Sequence, residues 1–101
     1  MEHRLDNRFE VPIDVAIYTA QRGIYNTCIS NLSTGGAQVL INASWDIRNK
    51  NLVLIEFMEK LLSVKIPALV MWTSEITASL MFIERVSELH LYLHHQYQAT
   101  V

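Results

Sequence analysis

Cysteine, long apolar runs and a leader-like start are scarce or missing in this sequence of 101 residues. Cys28 is the only cysteine, so an internal disulfide is excluded and a secreted disulfide framework is not expected. No run of about 18 apolar residues occurs, so we expect no membrane-spanning helix. The first residues, MEHRLDNRFE, are charged and lack the apolar segment of a signal peptide. These absences predict a cytoplasmic protein without membrane insertion.

Positive charge is also scarce, with 8 lysines and arginines against 10 acidic residues and a net charge of −2. We therefore expect no broad basic face of the kind that holds long nucleic acid through its phosphates. A small ligand with one or two phosphates remains compatible, because a few arginines suffice to bind it. Half of the residues are hydrophobic and 18% are charged, which predicts one folded domain rather than a disordered chain.

The hydrophobic residues recur mostly with a period of two, which is typical of half-buried β-strands. One face of the segment VPIDVAIY, for example, carries Val11, Ile13, Val15 and Ile17. The segment 20–23, AQRG, has the composition of a hairpin turn. The pattern predicts six strands, near residues 11–18, 24–30, 37–41, 52–57, 61–73 and 78–84. The strand LVLIEF is apolar almost throughout, so it is expected to be buried on both faces or nearly so.

The period changes near the C-terminus, where RVSELHLYLHHQY places apolar residues three or four apart. This spacing predicts a helix over 85–97. The predicted fold class is all-β with a terminal helix: a six-stranded antiparallel β-barrel followed by a C-terminal α-helix. The single domain, 1–101, would comprise an arm (1–9), the barrel (10–84) and the helix, which covers an open end of the barrel or packs outside it.

Catalytic and metal-binding patterns are weak in this sequence. His90 and His94 lie four residues apart on the predicted helix, but no third ligand is evident, so no metal site is predicted. Cys28 lies in a strand without a surrounding motif and is expected to be a buried, inert thiol. Ser33 lacks both a neighbouring histidine and the strand–elbow–helix setting of a nucleophile. We therefore expect neither an enzyme nor a bound cofactor.

Two arginines, Arg4 and Arg8, precede the first strand and are separated by three residues. A guanidinium group offers a planar fork of donors that can bind phosphate oxygens or the O6 and N7 edge of guanine, and it can stack on flat rings. The arm that carries them is expected to be free to move. The alternative interpretation is an exposed, charged chain terminus.

A small polar turn, NLSTGG, is the second candidate for ligand binding. Asn31 and Ser33 provide side-chain oxygens, and Asn31 also provides amide donors. Gly35 and Gly36 lack a Cβ atom, so a ligand can approach their backbone closely. With the two arginines, this turn suits a compact, doubly charged ligand that carries guanine. The alternative interpretation is ordinary hairpin chemistry.

The two motifs, Arg-x-x-x-Arg at 4–8 and Asn-x-Ser-x-x-Gly at 31–36, together resemble those of the PilZ domain family. The resemblance covers nearly the whole chain, because six β-segments and a closing helix follow in a fitting order. PilZ domains are bacterial receptors for the second messenger cyclic di-GMP. The resemblance implies a six-stranded antiparallel barrel whose arginine arm folds over the bound ligand.

The resemblance also assigns roles to individual residues. It implies that Arg4 and Arg8 hold guanine edges and phosphates, while Asn31, Ser33 and Gly36 form the facing wall. Asn31 stands where the family more often has aspartate, so its hydrogen bond to a guanine N–H lacks the strengthening charge. His3 precedes Arg4 where many members have a further arginine, which leaves open whether one or two ligand molecules bind. Ser79 stands where the family often has glycine.

Trp72 is a further candidate, since its ring could stack on a guanine near the rim of the barrel. Strict alternation places Trp72 on the same face as Val70 and Ala68, so packing in the core is at least as well supported. Both interpretations stay open at the level of the sequence.

The leading prediction is a non-catalytic cyclic di-GMP receptor that signals by conformational change to an unidentified effector protein. The alternative is an adaptor of the same fold that binds no nucleotide and serves in pilus or motility machinery, as some family members without the motifs do. The presence of Arg4 and Arg8 argues against the adaptor. A small barrel that binds single-stranded nucleic acid is disfavoured by the acidic net charge.

Overall fold

Six β-strands form the part of the chain that the computed structural model describes, residues 13–58 and 64–84. In chain order they are β1 (Ile13–Thr19), β2 (Ile24–Leu32), β3 (Gly36–Leu40), β4 (Leu52–Phe57), β5 (Lys65–Thr73) and β6 (Thr77–Phe82). The predicted turn at 20–23 joins β1 to β2, and the backbone N–H of Thr19 donates to the carbonyl of Gly23 (2.9 Å).

All strand pairs are antiparallel and follow the order β1–β2–β3–β6–β5–β4. Strand β4 pairs again with β1, so the sheet closes on itself. This confirms the predicted six-stranded antiparallel barrel. The predicted arginine arm (1–9) and C-terminal helix (85–97) lie outside the described residues, so both stay predictions, as do the domain boundaries.

The core fills the inside of the barrel with aliphatic side chains and two phenylalanines. Its largest fully buried members are Ile17, Ile29, Leu32, Ile55, Ile66, Val15, Val39 and Val70. Strand β4 corrects the prediction that it is buried on both faces: Val53 and Phe57 are buried, whereas Leu52 is 59% and Leu54 is 41% exposed. The reason is geometric, because only alternate residues of a barrel strand point inward.

A β-bulge interrupts the pairing of β2 with β3. Ile29 lies opposite Val39, but Asn31 rather than Ser30 lies opposite Gln38. One extra residue reverses the alternation of side chains between the two faces of a strand. The bulge therefore turns Asn31 outward beside Gln38, and it still lets Leu32 point into the core, where it is fully buried.

A second bulge interrupts the pairing of β5 with β6 at Met71. Val70 lies opposite Leu80, but Trp72 is the residue opposite Ser79. Strict alternation would have pointed Trp72 inward, with Val70; the extra residue turns it outward, where it is 45% exposed. Of the two interpretations that the sequence left open for Trp72, packing in the core is therefore wrong, because alternation in sequence does not reveal the inserted residue.

A polar network connects the β1–β2 turn to the loop after β3. It lies at the start of β2, at the opposite end of that strand from the bulge at Ser30. The carboxylate of Asp46 accepts hydrogen bonds from the hydroxyls of Tyr25 and Thr19, the latter at 2.7 Å. The ring of Tyr25 stacks on Trp45, with 4.6 Å between centroids. The backbone N–H of Gly23 donates to the hydroxyl of Thr19 (2.9 Å), which joins the turn to the same network.

The network shifts the pKa values of Asp46 and Tyr25 in opposite directions. Hydrogen bonds from Tyr25, and then from Thr19, hold the pKa of Asp46 below its usual value. The hydrogen bond to Asp46 raises the pKa of Tyr25. The charged form of Asp46 and the neutral form of Tyr25 are thus both favoured by folding.

A pH dependence of stability follows from these two shifts. Because the pKa of Asp46 is lowered in the folded state, its contribution is present above the unfolded value of about 3.9 and is lost as pH falls further. Tyr25 loses its contribution only as pH rises above about 10. We expect Asp46→Asn to lower the free energy of unfolding at pH 7, and we expect the difference from wild type to shrink at about pH 3.

Urea unfolding of wild type and Asp46→Asn at the two pH values would measure this difference. The matched control is Glu75→Gln, which neutralises an exposed carboxylate in the β5–β6 turn. A difference for Asp46→Asn that is as large at pH 3 as at pH 7 would contradict the assignment.

Candidate functional site

A cleft of about 350 Å³ opens on the outside of the barrel, between the β2–β3 turn and the β5–β6 pair. Both bulges lie beside it, since each delivers one side chain to its wall. The residues that line it are Asn31, Leu32, Ser33, Gly35, Gly36, Ala37, Gln38, Met71, Trp72, Ser79, Leu80 and Met81. The volume lies within the range of about 300–1,000 Å³ that is common for small-molecule sites.

The β2–β3 turn is held by hydrogen bonds of Ser33. Its backbone N–H donates to the carbonyl of Gly36 at 2.9 Å. Its hydroxyl accepts from the N–H of Gly35 and donates to the carbonyl of Gly36, both at 3.3 Å. Ser33 is 8% exposed and is the one buried polar residue of the described segments. Its hydroxyl therefore shapes the turn, and its contact with a ligand stays a prediction.

The two glycines of the turn differ in their surroundings. A Cβ atom on Gly36 would overlap the backbone carbonyl oxygen of Leu80 on β6, because β3 approaches β6 closely at this point. A Cβ atom on Gly35 would meet nothing within 4 Å. Neither glycine adopts a positive φ. Gly36 thus serves close strand pairing, whereas Gly35 leaves the cleft open beside the turn.

The opposite wall of the cleft is apolar and comes from β5 and β6. It presents the ring of Trp72 beside the side chains of Met71 and Met81, all between 44% and 49% exposed. An exposed indole next to two thioethers offers a flat, polarisable surface of the kind on which aromatic bases stack.

The polar wall is centred on Asn31 and Gln38, which face each other across β2 and β3. The Nδ2 atom of Asn31 donates a long hydrogen bond to Oε1 of Gln38, at 3.4 Å. The hydroxyl of Ser30, the bulge residue, donates to the backbone carbonyl of Gln38 at 3.2 Å. The bulge thus determines the positions of the Asn31 and Gln38 side chains relative to each other.

Charge is absent from this lining: the described residues of the cleft are all neutral. An anionic ligand would therefore need its countercharge from elsewhere in the chain. Arg4 and Arg8 are the residues predicted for that role, and they lie outside the described residues.

The structure brings together every sequence-predicted site residue that it describes. Asn31, Ser33, Gly35, Gly36 and Trp72 all line the one cleft, although their segments are distant in sequence. Their individual contacts with a ligand remain predictions.

Sequence reasoning missed Gln38, Met71 and Met81 as lining residues. The position of Gln38 between the inward residues Ala37 and Val39 marks it as outward-facing. Only the strand register shows that it faces Asn31.

Two further predictions concern a metal site and the thiol of Cys28. Within residues 13–58 and 64–84, no three His, Cys, Asp or Glu side chains cluster as metal ligands; His90 and His94 lie outside these ranges. Cys28 is partly exposed rather than buried, which corrects the expectation of a buried thiol. No helix in the described segments is long and apolar enough to cross a membrane.

Comparison with known families identifies the architecture. The family model described as the PilZ domain matches residues 2–94. The chain belongs to the PilZ domain family. This confirms the resemblance seen in the two sequence motifs, and the match includes both of them. No curated protein matches the sequence.

Three solved structures, one of them a PilZ domain, share the fold at low sequence identity. The PilZ domain of CeSA from a cellulose-synthesizing bacterium has a TM-score of 0.71 and 16% identity, over 94% of this chain and 99% of that one. The Bacillus subtilis inhibitor of motility, MotI/DgrA, has a TM-score of 0.74 and 17% identity over 99% of this chain. MrkH of K. pneumonia, solved as a c-di-GMP complex, has a TM-score of 0.64 and 16% identity over 97%.

Two of these three structures are considerably longer than this chain. The similarity spans 52% of the MotI/DgrA chain and 55% of the MrkH chain, so both contain substantial sequence beyond the shared domain. At these identities the comparison establishes the fold.

The glycine geometry predicts unequal effects of two similar substitutions. Gly36→Ala should lower the free energy of unfolding by about 1–3 kcal/mol, because the new methyl group forces β3 away from β6. Gly35→Ala should change it by less than about 0.5 kcal/mol, since its methyl group enters open space. Urea unfolding of both variants tests this, and equal effects of the two substitutions would contradict it.

Proposed function

We propose that this PilZ domain is a non-catalytic receptor that binds cyclic di-GMP between Arg4 and Arg8 and the described cleft. The observation that carries the proposal is the composition of the cleft. The family-motif turn with Asn31 forms one wall, and the outward-turned ring of Trp72 forms part of the other. The sequence separates these residues, and the two bulges bring them to one surface.

The chemistry of the ligand matches the two walls. Each guanine has a flat ring that can stack on Trp72, and its edge carries N–H donors for the amide oxygen of Asn31. The open backbone at Gly35 allows close approach of a ribose or phosphate. The apolar side chains of Met71 and Met81 would cover the face of a base.

The two negative charges of the ligand call for the arginines, since the described cleft wall is neutral. Ile13, the first residue of β1, lies opposite Ile29, two residues before Asn31. Arg8 precedes Ile13 by five residues and Arg4 by nine. Extended spans of those lengths reach up to about 18 Å and about 32 Å, so both arginines can reach the cleft.

Relatives with the same fold support this proposal. MrkH is a PilZ-fold protein whose solved structure is a complex with c-di-GMP. We further propose that ordering of the arm on binding signals to an effector protein, and that the protein acts in the cytoplasm without a further cofactor. The alternative is an adaptor of the same fold that binds no nucleotide.

Calorimetric titration with cyclic di-GMP tests the receptor directly. Wild type should bind, and Arg4→Ala and Arg8→Ala should each lose about 10- to 100-fold in affinity, because each removes charge-assisted hydrogen bonds. The affinity should also fall with rising salt concentration.

Two controls make the titration specific. Arg48→Ala removes an exposed arginine that does not line the cleft, so it should bind like wild type. GMP, which carries one guanine, should bind much more weakly than the dinucleotide. Absence of binding by wild type at high micromolar cyclic di-GMP would contradict the receptor hypothesis and favour the adaptor.

Trp72 provides an optical test of the same site. Trp72→Ala should weaken cyclic di-GMP binding by about tenfold or more, whereas Trp72→Phe should retain much of it, because a phenyl ring still stacks. The chain has one other tryptophan, Trp45, which stacks on Tyr25 away from the cleft. In a Trp45→Phe background, tryptophan fluorescence, excited selectively over the tyrosines, therefore reports on Trp72 alone. A titration that leaves this fluorescence unchanged, with binding intact, would contradict stacking.

A further inference from the structure

An asparagine at position 31 raises a problem of orientation that an aspartate would not. Both oxygens of a carboxylate accept hydrogen bonds, so either can face a donor on a ligand. An amide has one accepting and one donating end, and rotation by about 180° exchanges them. Asn31 can accept from a guanine N–H only if Oδ1, and not Nδ2, is turned to the ligand.

Gln38 is placed to set that orientation. The bulge at Ser30 brings Asn31 directly opposite Gln38, and both side chains line the cleft. Nδ2 of Asn31 donates to Oε1 of Gln38 at 3.4 Å. Within the described segments, this is the one side-chain hydrogen bond that either amide makes. In this arrangement Nδ2 is engaged and Oδ1 is left as the acceptor. The reverse arrangement, in which Nε2 of Gln38 donates to Oδ1, would turn Nδ2 to the ligand instead.

We propose that Gln38 is a positioning residue that holds the Asn31 amide with its oxygen available to the base, and so selects guanine over adenine. The inference rests on the proposed function. Guanine presents neighbouring N–H donors at N1 and N2, whereas the corresponding edge of adenine has an acceptor at N1. An amide held with its oxygen toward the base therefore favours guanine, and a freely rotating amide discriminates less.

Comparison of cyclic di-GMP with cyclic di-AMP tests this role. The two ligands carry the same phosphates, so changes in charge at the site largely cancel in the ratio of their affinities. Gln38→Leu removes the acceptor for Nδ2, and it should reduce the preference for cyclic di-GMP by about three- to tenfold, the range of one neutral hydrogen bond. Gln38→Ser is a second variant that cannot reach Asn31.

Two further variants separate positioning from a merely structural role. Gln38→Glu can only accept from Nδ2, so it should keep the wild-type preference even if overall affinity falls through repulsion of the phosphates. In an Asn31→Asp background, Gln38→Leu should no longer alter the preference, because a carboxylate needs no orientation. A structural defect at position 38 would be rescued by neither change.

The possible results separate a failure of the proposed Gln38 role from a failure of the proposed receptor function. Binding of cyclic di-GMP by wild type, with an unchanged preference in Gln38→Leu and Gln38→Ser, overturns the role of Gln38 and leaves the receptor standing. The same is true if Gln38→Leu remains as damaging in the Asn31→Asp background. If wild type binds neither dinucleotide, the receptor function is overturned, and the proposed role of Gln38 is overturned with it.

Discussion

The candidate site depends on two single-residue insertions in otherwise regular strands. In a barrel strand the side chains alternate between core and surface, so one extra residue exchanges the faces of all that follow. The bulge at Ser30 turns Asn31 outward, and the bulge at Met71 does the same for Trp72. Without them an amide and an indole would point into a core that is otherwise aliphatic and phenylalanine-lined. The cleft exists because the alternation is broken on both sides of the β3–β6 pair.

The proposed binding surface obtains its shape and its charge from different parts of the chain. The described cleft contributes hydrogen-bonding groups, an aromatic ring and an open backbone, but no ionised side chain. Such a surface can recognise a base, yet it cannot by itself neutralise a phosphate. In the proposed receptor that task falls to Arg4 and Arg8, so the complete site requires both parts of the chain. In that proposal the affinity for the ligand depends on where the arm lies, so binding and the position of the arm are coupled.

Much of the fold could be predicted from the sequence, because hydrophobic alternation reflects which face of a strand is buried. All six strands and the β1–β2 turn were found, with ends shifted by a few residues. The alternation pattern gave a wrong prediction for β4, where every other position is also apolar and the sequence does not distinguish the inward face from the outward one. The leucines of β4 look like core residues, yet Leu52 and Leu54 lie outside, since apolarity alone does not compel burial.

The site was less predictable than the fold for a related reason. Motif residues in one turn could be identified from their chemistry, but the partner wall depends on strand register. The spacing of Ile29 and Leu32, three residues apart with both buried, is a trace of the first bulge in the sequence. The second leaves no such trace, because Met71 and Trp72 are both apolar and either could point inward. Gln38 likewise became relevant only once its opposite residue was known.

Closure of the barrel also limits how another protein can engage this domain. Each of the six strands has a hydrogen-bonded neighbour on both sides, including β4 with β1. The described strands therefore offer no free edge to which a partner could add a strand of its own. A protein that binds these strands must therefore contact side chains on the outer surface of the barrel, and the fold itself does not dictate the identity of those side chains.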